Sequence, residues 1–258
     1  MIIRKSPAEV ETMAKAGTVV ADTLALVGEH VRPSVTTAEL DQLADEYIRS
    51  QGGTSSFKGY RGYPASICTS PNDMVVHGIP DERTLSDGDI LSVDVGVSLD
   101  GFVADSAYTF AVGEISAEAE RLLDVCQAAL AAGIAQCRPD NRLSDLSHAI
   151  QAVTEEAGFS VVRSLVGHGI GRAMHEDPQI PNYGAPGRGP ELASGMTFAI
   201  EPMINVGGPD IFLHDDDWSI STVDGALSAH FEHTVAITDD EPRILTIDKN
   251  RAGALLLP

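Results

Sequence analysis

The segment that decides the fold reads ILSVDVGVSLDGFVAD and spans residues 90–105. Its first half is an apolar run typical of a buried strand, yet it contains the carboxylate of Asp94. Asp100-Gly101 is a strong hairpin turn signal, and the return strand over Phe102–Val112 carries Asp105. The pattern therefore predicts an apolar hairpin with one acidic residue on each strand.

The register of this hairpin stays open, but both candidates place the two aspartates on one face. A turn centred on Leu99-Asp100 puts Asp94 opposite Asp105, whereas a turn centred on Asp100-Gly101 makes them diagonal neighbours. Two carboxylates about 5–8 Å apart on an apolar hairpin repel each other unless a positive charge lies between them. The alternative is a solvent-facing pair without a ligand.

Two further apolar runs are each interrupted by a glutamate. Glu201 lies within Thr197–Ile204, and Glu232 lies within Ala229–Ile237. Each run is predicted to form one continuous strand.

A histidine adds a nitrogen ligand to these carboxylates. His168 lies in the sequence GHGIG, which is predicted to be a glycine-rich turn after a strand over residues 161–166. The five candidate ligands supply four negative charges and one neutral imidazole, which balance two divalent cations: Asp94, Asp105, His168, Glu201 and Glu232. Oxygen-rich ligands without thiolate favour manganese, iron or cobalt over a structural zinc, although zinc stays possible.

Helices flank the acidic segments in both halves of the chain. Ser6 to Glu9 and Thr36 to Glu39 are capping boxes, which predict helices ending near Arg32 and at Gly52-Gly53. Two more helices are predicted over about 117–137 and 144–157.

A weak internal repeat accompanies this element order. Arg32-Pro33 recurs as Arg138-Pro139, and Gly52 recurs as Gly158, both at an offset of 106 residues. We expect an α+β fold with two pseudo-symmetric halves, about 6–112 and 113–240, in a single catalytic domain over 1–258. A curved, mostly antiparallel sheet is expected inside, with the helices outside.

Composition narrows the classes of partner. The net charge of −21, from 17 basic and 38 acidic residues, makes direct nucleic-acid binding an unexpected function. The sequence has no apolar run long enough for a membrane helix and no signal-peptide pattern, and its three cysteines form no CxxC. We expect a cytoplasmic protein that does not bind membranes.

The motifs around the five ligands resemble the metal-binding signature of the methionine aminopeptidases. The likeness runs from about Ser6 to Asp239 and includes Asp94-Val95-Gly96, Gly167-His168-Gly169, Ile200-Glu201-Pro202 and Phe231-Glu232-His233. It implies the pita-bread fold and a hydrolase that removes the N-terminal methionine when the second residue is small. The chain is similar to the short, type I bacterial form, whose expected partners are nascent polypeptides at the ribosome and whose expected state is a monomer.

The resemblance also implies a role for each polar site residue. Asp94 chelates one metal, His168 and Glu201 hold the other, and two residues, Asp105 and Glu232, bridge the pair around a reactive water. Glu201 is implied to carry the proton, while His175 stabilises the oxyanion and His77 contacts the peptide group beyond the scissile bond.

The resemblance further implies an apolar slot for the methionine side chain. The implied lining residues are Phe57, Tyr60, Tyr63, Cys68, Met174 and Trp218. Met174 stands where phenylalanine is usual, and Ala104 replaces a frequent glycine. His230 stands where glutamine is usual, and it either orients a ligand or water or titrates near neutrality.

Two other functions remain as alternatives. The same fold occurs in superfamily members that bind without catalysis, but these lack the metal ligands. A proline-specific metallopeptidase is the second alternative, and peptides beginning Met-Ala or Xaa-Pro distinguish it.

Overall fold

The structure, a computed structural model, describes residues 1–247. The last eleven residues of the expected domain, 248–258, lie outside this range. The helices are α1 (Pro7–His30), α2 (Thr37–Ser50), α3 (Ala117–Ala135) and α4 (Leu143–Glu156), with a 3-10 turn at Tyr60–Gly62. The strands are β1 (Thr54–Ser55), β2 (Cys68–Pro71), β3 (Met74–Val76), β4 (Ile90–Leu99), β5 (Phe102–Ala111), β6 (Ser160–Val161), β7 (Val166–Gly169), β8 (Glu176–Pro181), β9 (Thr197–Ile200), β10 (Met203–Asn205), β11 (Ile211–Leu213), β12 (Ile220–Thr222), β13 (Ser228–His230), β14 (His233–Ala236) and β15 (Arg243–Ile244).

The helix predictions are confirmed to within a few residues, because local capping sets the helix starts. The Ser6 hydroxyl accepts a hydrogen bond from the Glu9 amide, and the Glu9 carboxylate accepts one from the Ser6 amide. The same reciprocal pair joins Thr36 and Glu39 at the start of α2. Each capped terminus satisfies backbone N–H groups that the first helical turn leaves free.

The strands pair antiparallel throughout the described range and form four sheets. Helices α1 and α2 pack on β4 and β5 around one core, which includes Leu24, Leu40 and Val93. Helix α3 packs on β9, β10 and β13, and helix α4 packs on α3, β6 and β8, around a second core that includes Leu130 and Phe198. The expected element order, a helix pair followed by strands, therefore occurs twice.

The β4–β5 hairpin adopts the second of the two expected registers. Leu99 pairs with Phe102, so the turn is centred on Asp100-Gly101. Both turn residues have positive φ, 50° and 79°, as a two-residue type I′ hairpin requires. The turn thus fixes which residues of β4 and β5 face each other.

Three predicted strands are wrong in extent. The run Thr197–Ile204 divides into β9 and β10 at Glu201-Pro202, because proline has no N–H to donate to a continuing ladder. The run Ala229–Ile237 divides into β13 and β14 at Phe231-Glu232, alongside the first break. The predicted strand over 161–166 is instead two separate strands, β6 and β7.

Candidate metal centre and substrate cavity

The two aspartates of the β4–β5 hairpin lie on one face as diagonal neighbours. Asp105 pairs with Gly96, and Asp94 pairs with Ala107. The Asp105 amide donates to the Thr234 hydroxyl at 2.9 Å, and that hydroxyl donates to the Asp105 carbonyl at 2.8 Å. These bonds tie β5 to β14, so ligands from the two halves of the chain meet.

The two glutamates lie at the strand breaks and turn their carboxylates toward the hairpin. At its break, Glu232 is anchored through its backbone, with its amide donating to the Ala107 carbonyl at 2.9 Å and its carbonyl accepting from the Ser106 hydroxyl. The Glu201 carbonyl accepts from the Asn182 side-chain amide at 2.9 Å. A break in the ladder frees each glutamate from the strict alternation of strand side chains.

His168 lies within β7 and not in a turn, so this part of the prediction is wrong. Strands β8 and β9 flank β7 so closely that a Cβ at Gly167 would lie 2.5 Å from the Ala199 carbonyl oxygen. A Cβ at Gly169 would lie 2.1 Å from the Asp177 carbonyl oxygen. The glycines therefore permit a tightly packed strand, which fixes the direction of the imidazole.

The five side chains form a group that fits divalent cations. One ligand atom each from Asp105, His168 and Glu232 lies within 4.8 Å of the other two, and all three residues are buried. Nε2 of His168 lies 3.5 Å from Oε1 of Glu201, and its Nδ1 bonds the Gly169 carbonyl at 2.9 Å. That bond orients the ring as the outer hydrogen bond of a metal-bound histidine does.

Three buried carboxylate oxygens without hydrogen-bond partners support the fit to cations. Oδ1 of Asp94, Oδ1 of Asp105 and Oε1 of Glu232 are buried and have no hydrogen-bond partner in the described chain. Buried carboxylates without partners are costly, and cations between them would remove that cost.

Electrostatics give the same indication. Burial raises the pKa of Asp94 to about 7 and raises the pKa values of Asp105, Glu201 and Glu232 well above their usual range. Repulsion among the four carboxylates raises these last three pKa values further. Such shifts mark a site that needs positive charge to hold all four groups ionised.

Two more histidines border the same space. The His175 ring centroid lies 4.2 Å from that of His168, and its Nδ1 lies 2.9 Å from the Tyr60 hydroxyl. Burial lowers the pKa of His175, and the positive charge of Arg61 lowers it further. Burial also lowers the pKa of His77 to about 4. Both imidazoles are therefore neutral at neutral pH.

The opposite end of the space is apolar. The Tyr63 ring makes edge contacts with Trp218 at 5.0 Å and with Phe57 at 6.5 Å, and Met174 packs on the same cluster. Cys68 pairs with Asp94 across β2 and β4, so it lies between the apolar end and the carboxylates. Burial raises the pKa of its thiol well above the usual range, which keeps it neutral.

One cavity of about 170 Å³ brings the predicted side chains together. It is lined by Phe57, Tyr60, Arg61, Tyr63, Cys68, His77, Asp94, Asp105, His168, Met174, His175, Glu201, Trp218 and Glu232. All thirteen predicted metal-ligand, catalytic and slot residues are in this group, and Arg61 is the additional one. The sequence pattern that could have identified Arg61 is a basic residue in a turn with aromatic and glycine neighbours, Gly59 to Tyr63.

His230 lies behind the carboxylates and does not line the cavity. Its Nε2 is buried without a hydrogen-bond partner, 3.8 Å from Oε2 of Glu201. Burial lowers its pKa to about 3. The neutral ring is thus placed to orient Glu201, and the structure disfavours titration near neutrality.

The sequence profile of metallopeptidase family M24 matches residues 11–239, which include every side chain of the cavity. The chain belongs to this family. A methionine aminopeptidase of Clostridium perfringens is 53% identical over 249 residues, covering 96% of this chain and all of that protein. The crystal structure of a methionine aminopeptidase from Rickettsia prowazekii superposes with a TM-score of 0.95 at 42% identity, covering 96% of this chain and all of the other.

A more distant likeness concerns the fold alone. A prolidase from Pyrococcus horikoshii superposes with a TM-score of 0.78 at 18% identity, and the likeness covers 96% of this chain and 65% of the prolidase. The expected pita-bread fold is therefore confirmed for this family member. No helix in the described residues is long and apolar enough to span a membrane.

Proposed function

We propose that this chain is a methionine aminopeptidase, which hydrolyses the first peptide bond of polypeptides that begin with methionine followed by a small residue. The observation that carries the proposal is one cavity with metal-ligand chemistry at one end and an aromatic, apolar slot at the other. The thioether side chain fits such a slot because it is apolar, flexible and makes favourable contacts with aromatic rings.

Two divalent cations are the proposed cofactors, held by Asp94, Asp105, His168, Glu201 and Glu232. Manganese, cobalt and iron suit this oxygen-rich set, and zinc is a further candidate. When bound, the cations polarise the scissile carbonyl and lower the pKa of the attacking water.

The protein groups move one proton and stabilise one developing charge. We assign Glu201 the role of accepting the proton of the attacking water and passing it to the leaving amine. His175 donates a hydrogen bond to the developing oxyanion. If the Tyr60 hydroxyl donates to Nδ1 of His175, the proton of the neutral ring lies on Nε2, where it is free to donate. His77 is assigned to the peptide group beyond the scissile bond.

The proposal extends to cellular context. We propose a monomeric cytoplasmic enzyme, folded as one domain of two similar halves, that acts on nascent chains at the ribosome. The net charge of −21 argues against direct binding to ribosomal RNA, so recognition rests on the polypeptide terminus.

A peptide assay tests this function against the alternatives. With added manganese or cobalt, Met-Ala-Ser should be cleaved to free methionine, Met-Leu-Ser should be cleaved far more slowly, and Ala-Pro-Ser should remain intact. Cleavage of only the Xaa-Pro peptide would favour a proline-specific enzyme. Binding of Met-Ala-Ser without turnover would favour a non-catalytic binding protein.

A further inference from the structure

Arg61 gives the cavity a positively charged rim. It is exposed and is the only lysine or arginine among the described side chains that line the cavity. In a chain with a net charge of −21, a positively charged side chain at the rim of this cavity is unusual.

The backbone presents Arg61 at an energetic cost. Its φ is 48°, in the left-handed region that residues with a side chain rarely adopt. Gly59 and Gly62 flank it with φ of 86° and 93°, and the Tyr63 amide donates to the Tyr60 carbonyl at 2.9 Å across the turn. Strained positions of this kind concentrate at functional sites, where the surrounding structure holds them in place.

The guanidinium keeps its hydrogen-bond donors available. It lies 5.4 Å from the centroid of the Tyr60 ring, and within residues 1–247 no carboxylate forms an ion pair with it. The nearby Lys58, in contrast, lies 3.8 Å from Asp45. On the Trp218 side of the cavity the charges are opposite, because Asp215, Asp216 and Asp217 precede that residue.

The distance between Arg61 and the catalytic histidine indicates which residue of a bound peptide the guanidinium can contact. Tyr60 connects Arg61 to His175, because its ring stacks on the imidazole at a centroid distance of 5.4 Å. An extended peptide advances about 3.3 Å per residue, so the third residue starts roughly 7 Å beyond the first. The guanidinium carbon and the His175 ring centroid each lie 5.4 Å from the Tyr60 ring centroid, so the guanidinium is within about 11 Å of that imidazole. A glutamate side chain at the third residue is long enough to extend into this range.

We propose that Arg61 binds an acidic side chain at the third residue of the substrate and so determines specificity there. The inference rests on the proposed aminopeptidase function. Arginine suits this role because its planar guanidinium can bind a carboxylate through two hydrogen bonds.

The test compares two C-terminally amidated peptides, Met-Ala-Glu-Gly-Phe and Met-Ala-Gln-Gly-Phe. The ratio of kcat/KM for the glutamate peptide to kcat/KM for the glutamine peptide should be about threefold higher in wild-type protein than in Arg61→Gln. This factor is the scale of a solvent-exposed ion pair. Arg61→Lys should retain part of that preference. The control Lys58→Gln removes a charge from the same loop outside the cavity and should keep the wild-type ratio.

The outcomes separate the two proposals. If neither peptide is cleaved by any form, the aminopeptidase function itself fails. If both are cleaved but the glutamate-to-glutamine ratio is equal in wild type and Arg61→Gln, the inference about Arg61 is overturned. An equal loss of preference in Lys58→Gln would attribute the effect to net charge and would also overturn it.

Discussion

Nε2 of His230 lies 3.8 Å from Oε2 of Glu201, buried and with no hydrogen-bond partner in the described chain. A small shift of either side chain would let Nε2 of the neutral ring donate a hydrogen bond to that carboxylate, which a glutamine amide could also do and a leucine side chain could not. We therefore expect His230→Leu to lower kcat by about tenfold, the usual scale for a group that orients a ligand. His230→Gln should restore most of the rate.

The pH profile provides the second readout for His230. Since burial lowers its pKa to about 3, the ring stays neutral over the working range. The kcat/KM profile of His230→Gln should therefore overlay that of wild type. A shifted pH optimum in this variant would mean that His230 titrates during turnover.

His175 and Tyr60 form the next testable pair. Loss of the proposed oxyanion donor in His175→Ala should lower kcat by about 10² or more. Tyr60→Phe removes only the 2.9 Å hydrogen bond that orients the imidazole and should cost less. Steady-state kinetics with Met-Ala-Ser check both, and a wild-type kcat in His175→Ala would show that the role is misassigned.

A buried ion pair holds the loop that carries His175. Nζ of Lys5 lies 2.5 Å from Oε2 of Glu176, and the two side chains are only 3% and 7% exposed. Oε1 of Glu176 also accepts from the amides of Arg172 and Ala173. Lys5→Met should lower the free energy of unfolding by about 3–5 kcal/mol, because it leaves a buried carboxylate without its partner.

Denaturant titration measures this loss. The control Arg243→Gln breaks a more exposed pair with Glu11 and should cost about 1 kcal/mol or less. The double variant Lys5→Met/Glu176→Gln should recover part of the loss, since no unpaired charge remains. If the double variant were as unstable as Lys5→Met, lost packing and not charge would explain the effect.

The features predicted correctly from the sequence depend on local chemistry. Capping boxes set the starts of α1 and α2, and the Asp100-Gly101 turn fixes the hairpin register once its backbone is known. The strand breaks depend on neighbouring strands, so periodicity alone missed them. Pro202 was the available local signal for the first break, whereas Phe231-Glu232 has no such marker.

Arg61 was missed for a different reason. A single exposed arginine in a loop is ordinary in a sequence, and its meaning comes from the cavity that it borders. The carboxylates, by contrast, interrupt apolar runs where an unpaired charge is costly, so each was visible before its position was known.

The carboxylate cluster predicts an unusual pH dependence of stability in the metal-free protein. Burial raises the pKa of Asp94 to about 7, against about 3.9 for an exposed aspartate, and it also raises the pKa values of Asp105, Glu201 and Glu232. The folded state therefore holds protons that the unfolded chain releases. The cluster's contribution to the free energy of unfolding should fall as the pH rises from about 4 through 7.

Cations that bind the deprotonated cluster should reverse this effect. The difference in Tm between protein with manganese and metal-free protein should grow between about pH 5 and pH 7.5, as measured by scanning calorimetry. A difference that stays constant over this range would contradict the proposed charge state of the cluster.

Metal-dependent release of methionine tests the central claim most directly. Metal-stripped protein should leave Met-Ala-Ser intact, and added manganese, cobalt or iron should restore free methionine, with elemental analysis giving two ions per chain. Glu201→Gln, which alters a ligand and removes the proton carrier, should stay inactive under the same conditions while remaining folded. Full turnover by wild-type protein in excess chelator, with no metal found by elemental analysis, would contradict the account.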